Sequence, residues 1–324
     1  MRSFPRPVVA ASKCLGFAAC RYDGQTIDCP TVRLLQGLVD FRPVCPEVAI
    51  GLGVPREPIR VIESGGERRL YQPATGRDLT ADMAAFASRH LGTLGDADGF
   101  ILKSHSPSCG VKDVKAYPGT DPRHAPVTGK SAGFFGGAVL ERFPHLAVED
   151  DGRLENYQVR EHFYTRLYAV ADFRQVRASG EMRKLVDFQS RHKLLLMACS
   201  QKEMHALGRI TANGERRPWD ELTAEYGAHL GAALSRLPRA AANVNVLQHA
   251  LGYFKDGLSP AEKEFFLDEL VRYRRGKVPL GAVVAVMRSW VARFGDDYLR
   301  IQSYFQPYPE ELSSVSDSGQ GREL

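Results

Sequence analysis

Thirteen of the 19 prolines and 18 of the 30 glycines fall before residue 155 of this 324-residue chain, and that asymmetry leaves few folds open. Glycine and proline punctuate short elements, so the first part has to be built from brief strands and helices joined by tight turns. The second part is poor in such breakers and repeats its apolar residues at helical spacing. At about 150 residues per domain the length suits two domains, each able to bury a core. The polar turn Asp150-Asp151-Gly152 is the expected boundary. It gives a first domain at 1–152, a helical domain at 153–312 and a Ser- and Gly-rich tail at 313–324 that reads as disordered.

In the first part, short apolar runs alternate with helical patterns, the signature of an α/β fold with a Rossmann-like parallel sheet. Strands are expected at Pro7–Ser12, ending at Val44-Cys45, at Asp98–Lys103 and at Leu146–Glu149. Helices are expected at Thr31–Asp40, at a segment capped by Thr80 and running through Met83, Phe86 and Ala87, and at Ser131–Phe143. Ile59–Glu63 and Arg68–Gln72 around Ser64-Gly65-Gly66-Glu67 read as a hairpin insertion. The second part reads as all-α. Leu280, Val283, Val284, Met287, Trp290, Val291 and Phe294 form one apolar stripe, and Ser259-Pro260-Ala261-Glu262 is a capping box with proline at the first helical position.

Hydrophobic residues make up 44% and charged residues 25%, which excludes wholesale disorder. Gly281–Met287 is among the longest apolar runs and is far too short for a bilayer. Val8–Ala11 is too short for the core of a secretory signal, so a soluble cytoplasmic protein with no membrane partner is expected. The net charge of +5 permits nucleic acid as a partner without implying it. In a reducing compartment the six cysteines are expected as metal ligands, nucleophiles or core residues rather than disulfides.

Cys14 in Ser-Lys-Cys-Leu-Gly, Cys45 in Pro-Val-Cys-Pro-Glu and Cys109 in Ser-Pro-Ser-Cys-Gly each follow an expected strand. Open parallel sheets bind ligands outside the carboxyl ends of their strands, so three thiols distant in sequence can meet at one sheet edge. A free cysteine is often just a small buried hydrophobe, but cores do not require proline and glycine beside each thiol. Zinc stays open on these residues, although no Cys-X-X-Cys pair is present. Spacing does not name the metal.

Ser12-Lys13-Cys14-Leu15-Gly16, Arg21-Tyr22-Asp23-Gly24, Val44-Cys45-Pro46-Glu47, Gly51–Arg56 and Leu102–Gly110 resemble, in order, the motifs of the thiouracil desulfurase (TudS) family. The likeness covers roughly the first 150 residues. The remainder, chiefly through Arg191–Ser200, resembles the YbgA-type helical domain often fused behind it. The resemblance implies a 4Fe-4S cluster held by Cys14, Cys45 and Cys109, with one iron left open. It implies non-redox desulfurization of a thio-nucleobase such as 2-thiouracil: the open iron binds the thiocarbonyl sulfur, water attacks the carbon, and hydrosulfide leaves.

Such chemistry needs a proton acceptor, and Glu47, two residues after Cys45, is the expected general base. Ser106 is expected as a proton relay or substrate partner, its alternative being the turn before Pro107. Ser12 and Lys103 are expected to orient polar atoms of the substrate or the cluster, their alternative being that of simple strand-end residues. Asp23 reads as closing the turn at Asp23-Gly24. Cys20, Cys29 and Cys199 read as structural, and His192 as a hydrogen-bonded core histidine.

Two other functions would use the same residues. One is a sulfur-handling enzyme acting on thiolated tRNA, with RNA contact through the helical domain. The other is a non-enzymatic iron-sulfur redox or sulfide sensor. The basic run Arg272-Tyr273-Arg274-Arg275-Gly276-Lys277 suits RNA, but also suits a solvated helix end whose cations complement the dipole. Oligomeric state is not legible.

Overall fold

The computed structural model describes residues 3–119, 127 and 129–313. In chain order the strands are β1 (Val8–Ser12), β2 (Asp40–Val44), β3 (Arg60–Ser64), β4 (Glu67–Gln72), β5 (Arg77–Asp78), β6 (Gly99–Leu102), β7 (Val114–Tyr117), β8 (Gly129–Ser131) and β9 (Ala147–Asp150). The helices among them are α1 (Pro30–Leu35), α2 (Pro46–Ala49), α3 (Thr80–Gly92) and α4 (Phe134–Arg142). From there the chain is helical: α5 (Tyr157–Ser179), α6 (Met182–Cys199), α7 (Gln201–Ala212), α8 (Trp219–Ala233), α9 (Ala240–Leu251), α10 (Pro260–Arg274), α11 (Leu280–Phe294) and α12 (Asp297–Arg300), with short 3-10 turns.

The described residues form two compact units. One comprises Pro5–Ala171 with the segment from Glu310 on; the other comprises Asp172–Pro309 with the segment before Pro5. The division falls inside α5. No helix of the described residues is long and apolar enough to cross a membrane. The tail expected to be disordered lies, beyond Ser313, outside the described residues.

In the first unit a parallel sheet runs in the order β2-β1-β6-β9. Every residue of β1 and β6 is buried, as a central parallel strand covered on both faces requires. Ala10, Phe100 and Leu102 of these strands join Met83, Phe86 and Leu91 of α3 and Phe135 and Val139 of α4 in one core. The registers set Ser12 beside Val44 and Ala11 beside Ile101, so β1, β2 and β6 end at a common edge.

The hairpin is present as β3 and β4, but it belongs to a second, five-stranded sheet ordered β5-β4-β3-β7-β8 that the sequence did not reveal. Its strands β7 and β8 are only four and three residues long, too brief for a periodicity signal. Ser131, expected at a helix start, is the last residue of β8, and α4 begins at Phe134. Helix α1 stops at Leu35 rather than Asp40, because Gly37 at φ +84° turns the chain and Asp40 opens β2. Thr80 is not the cap of α3: its hydroxyl accepts from the Leu70 N–H at 2.8 Å, and Asp78 accepts the Thr80 N–H at 2.9 Å.

In the second unit the Ser259–Glu262 capping box forms as expected, each side chain accepting the other residue's N–H. The α11 stripe buries Val283, Met287 and Trp290, whereas Phe294 at its end is exposed. His192 is 2% exposed and lies between Asp172 (Nε2 to Oδ2, 2.9 Å) and Ser303 (Nδ1 to Oγ, 2.9 Å). That is the expected core histidine. Cys199, at the end of α6, is half-buried rather than buried.

Candidate functional site

Beyond their shared edge, β1, β2 and β6 lead into the loops that carry the cysteines. Lys13 N–H donates to Val44 O at 2.8 Å, and Lys103 N–H donates to the Ser12 hydroxyl at 2.9 Å, which ties the three strand ends together. Cys14, Cys45 and Cys109 follow these ends and line one cavity of about 440 Å³ with Ser12, Glu47, Lys103 and Ser106. All seven residues singled out from the sequence therefore face the same space.

The Cys109 loop is held by α4. Gly133 N–H donates to Gly110 O at 2.7 Å, Phe134 N–H to Pro107 O at 3.0 Å and Gly136 N–H to Ser108 O at 2.9 Å. Helix N-termini leave such donors unpaired, and here the loop carbonyls satisfy them. The approach is close enough that a Cβ on Gly136 would collide with the carbonyl oxygens of Cys109 and Gly110.

Burial pushes the Cys14 thiol up to about 12, with the neighbouring Cys20 and Cys45 acting in the same direction. It pushes the fully buried Cys109 thiol up as well, against a hydrogen bond from Ser12 that favours the thiolate; Cys14 and Cys45 lie near enough to act on Cys109. The three sulfurs are thus electrostatic neighbours.

Glu47, in α2, lines the cavity with Cys109. Arg56 donates to its Oε2 from Nε at 2.8 Å and approaches it with Nη2 at 2.7 Å, while the Ser108 hydroxyl donates to Oε1 at 2.9 Å. The hydroxyl on Glu47 is therefore that of Ser108, which the sequence did not single out. Ser106 lines the cavity, but its oxygen accepts the N–H groups of Ser108 (3.3 Å) and Cys109 (3.1 Å), the turn-forming role weighed as its alternative. Lys103 is ion-paired with Asp151 at 2.7 Å and donates to Ser104 at 2.8 Å. Asp23 accepts the Gln25 N–H at 3.1 Å, closing the turn as read.

Cys29 stands at the N-cap position of α1 with no side-chain cap bond and is not among the residues lining the cavity, but Cys20, expected to be structural, lines it. Its thiol is pushed up to about 11 by burial and by the adjacent Cys45. In the sequence Arg56 stands out only as the end of the Gly51–Arg56 motif. A signal for its role was available in the pairing of a lone arginine with Glu47 nine residues earlier, yet only the fold shows that the two meet.

Comparison with known proteins follows this division of the chain. A family model described as 2-thiouracil desulfurase matches residues 9–151, and one described as a protein of unknown function (DUF1722) matches residues 193–309. The uncharacterized protein YbgA of Escherichia coli (strain K12) is 29% identical over 150 residues, 46% of this chain and 89% of that protein. The uncharacterized protein YbbK of Bacillus subtilis (strain 168) is 34% identical over 110 residues, 32% of this chain and 73% of that protein. A solved structure of a [4Fe-4S]-dependent thiouracil desulfidase, TudS, has 29% sequence identity and a TM-score of 0.36, covering 46% of this chain and 93% of that one.

Proposed function

The chain belongs to the 2-thiouracil desulfurase family and carries a YbgA-like helical part behind that domain, and on that premise we propose that it hydrolyses the C–S bond of a thio-nucleobase such as 2-thiouracil at a 4Fe-4S cluster. The overall change takes up one water, leaves a carbonyl where the thiocarbonyl was, and releases hydrosulfide with no net electron transfer. The observation that carries this reading is the meeting of Cys14, Cys45 and Cys109 with Glu47 in one cavity at the ends of three adjacent parallel strands.

The donor set fits an iron-sulfur cluster, whose irons take cysteine thiolates, because three cysteines line one cavity of about 440 Å³. Cys14, Cys45 and Cys109 would hold it. When bound, an incompletely ligated cluster supplies a soft Lewis acid for sulfur.

The chain's own groups handle the rest. Glu47 takes the proton of the attacking water, its Oε2 anchored by Arg56 and its Oε1 accepting from Ser108. Ser12, hydrogen-bonded toward the Cys109 sulfur, steadies that ligand. Lys103, held by Asp151 at the cavity wall, offers its remaining donor to a polar substrate atom. Ser106 fixes the Cys109 turn, and its hydroxyl proton is available to the substrate.

Anaerobic reconstitution with an iron count and a hydrosulfide assay on 2-thiouracil tests the reading. About four irons per chain and stoichiometric hydrosulfide are expected. Persistent failure to take up iron would sink it.

A second reading keeps the chemistry and places the thiolated base within tRNA. In its favour, Arg272, Arg274, Arg275 and Lys277 are exposed at the end of α10 and just beyond. Salt-dependent tRNA binding that Arg274→Glu/Arg275→Glu weakens would support it.

A further inference from the structure

The cavity holds one thiol more than the ligand set needs. Cys20 lines it together with Cys14, Cys45 and Cys109 and is 7% exposed. Its backbone is pinned on both sides: Cys20 N–H donates to Ala18 O at 2.9 Å, and Cys20 O accepts from Arg56 Nη1 at 3.0 Å. The same guanidinium pairs with Glu47, so the place of Cys20 is fixed by the group that places the base.

Cys20 and Cys45 line the same cavity, and their thiols lie close enough to act on one another electrostatically. As a thiol, Cys45 points its proton toward the Cys20 carbonyl, with Sγ 3.8 Å from that oxygen. As a thiolate ligand it has no proton to give, and a carbonyl oxygen cannot donate one in return. Its sulfur then becomes an acceptor, and the S–H of Cys20, in the same cavity wall, is a neighbouring donor for it.

Resting on the desulfurase reading above, we propose that Cys20 is a positioning residue of the metal centre and not a ligand: its S–H donates to the ligating sulfur of Cys45. Hydrogen bonds to ligating sulfurs withdraw charge from the thiolate, raise the reduction potential of the centre and orient the ligand. In a site whose reaction needs no electron transfer, such a bond would serve to orient the Cys45 ligand.

The test compares anaerobically loaded wild type with Cys20→Ser, which keeps a hydroxyl donor, and with Cys20→Ala and Cys20→Val, which have none. Iron content is measured first. The reduction potential then follows from a potentiometric titration read by the EPR of the reduced centre. All four proteins are expected to hold the same iron; both donor-free variants move the potential to more negative values, and Cys20→Ser stays near wild type. A wild-type potential in either folded donor-free variant overturns the proposal. Loss of iron in Cys20→Val or Cys20→Ala with a native circular-dichroism spectrum makes Cys20 a ligand and overturns it too. Wild type that takes up no iron refutes the desulfurase reading itself, before any variant is compared.

Discussion

Arg56 grips Glu47 from two nitrogens on one carboxylate oxygen, at 2.8 and 2.7 Å, and leaves the other oxygen to the Ser108 hydroxyl. Both ionic side chains are nearly out of solvent, 6% and 13% exposed, so the pair is a fixed part of the cavity wall rather than a surface contact. The oxygen shared with Ser108 is the one that Arg56 does not grip.

Removing the base and removing its anchor should therefore differ in degree. Glu47→Gln is expected to lower kcat by about 100-fold or more with iron content unchanged, the usual contribution of a positioned general base. Arg56→Lys keeps the charge but loses the two-point grip, and about a 10-fold fall in kcat with little change in KM is expected. Steady-state hydrosulfide release on iron-matched samples reads both. Equal activity of Arg56→Lys and wild type would remove Arg56 from the account.

Gly136→Ala tests how the Cys109 loop is built. The added methyl meets the carbonyls of Cys109 and Gly110, so either the loop or α4 must shift. Overpacking of this kind costs about 1–3 kcal/mol, read by urea unfolding. Because the strain falls on a ligand, iron uptake should drop with it. Full loading in a destabilised Gly136→Ala would separate the loop from metal binding.

Iron uptake should depend on pH with a definite sign. Burial holds the Cys14 thiol at about 12 and raises that of Cys109, so both carry their protons at neutral pH and must release them to bind metal. Affinity is then expected to rise with pH across the neutral range and up toward the thiol values, with proton release on binding. Calorimetry in buffers of different ionisation enthalpy measures the protons released. A pH-independent affinity would contradict it.

In the helical unit, burial pushes the Asp172 carboxyl up, but the hydrogen bond and charge of His192 and the Arg191 guanidinium outweigh it and hold it below the ordinary carboxylate range. A depressed folded-state value means the stabilisation is complete above about pH 4 and is lost as pH falls through the lowered value. Asp172→Ala should cost about 3 kcal/mol at pH 7, the scale for stripping one partner from a buried pair, and should flatten the acid limb of the stability curve. Urea unfolding from pH 7 to pH 3 checks both. An acid limb as steep as that of wild type would exclude Asp172 as its source.

The strand ends bearing Cys14, Cys45 and Cys109 could be read from the sequence because turn residues beside a thiol are a local signal, and so could the Ser259 capping box. The second sheet could not, since β7 and β8 are short and find β3 only through tertiary pairing. At the site the same limit applied to partners. Sequence proximity favoured Ser106 as the serine of the mechanism, but the hydroxyl that meets Glu47 belongs to Ser108, 61 residues from it in the chain. Cys20 and Arg56 were likewise visible as residues and invisible as neighbours, because a loop closing over a sheet edge leaves no periodic trace.

The measurement that bears most directly on the whole account is the absorption spectrum and iron count of anaerobically prepared protein beside Cys14→Ala, Cys45→Ala, Cys109→Ala and Cys29→Ala. Loss of the cluster band and most of the iron is expected in the first three variants, with Cys29→Ala indistinguishable from wild type. A band of full intensity in any of the first three would contradict the ligand set, and with it the open metal site from which the proposed chemistry follows.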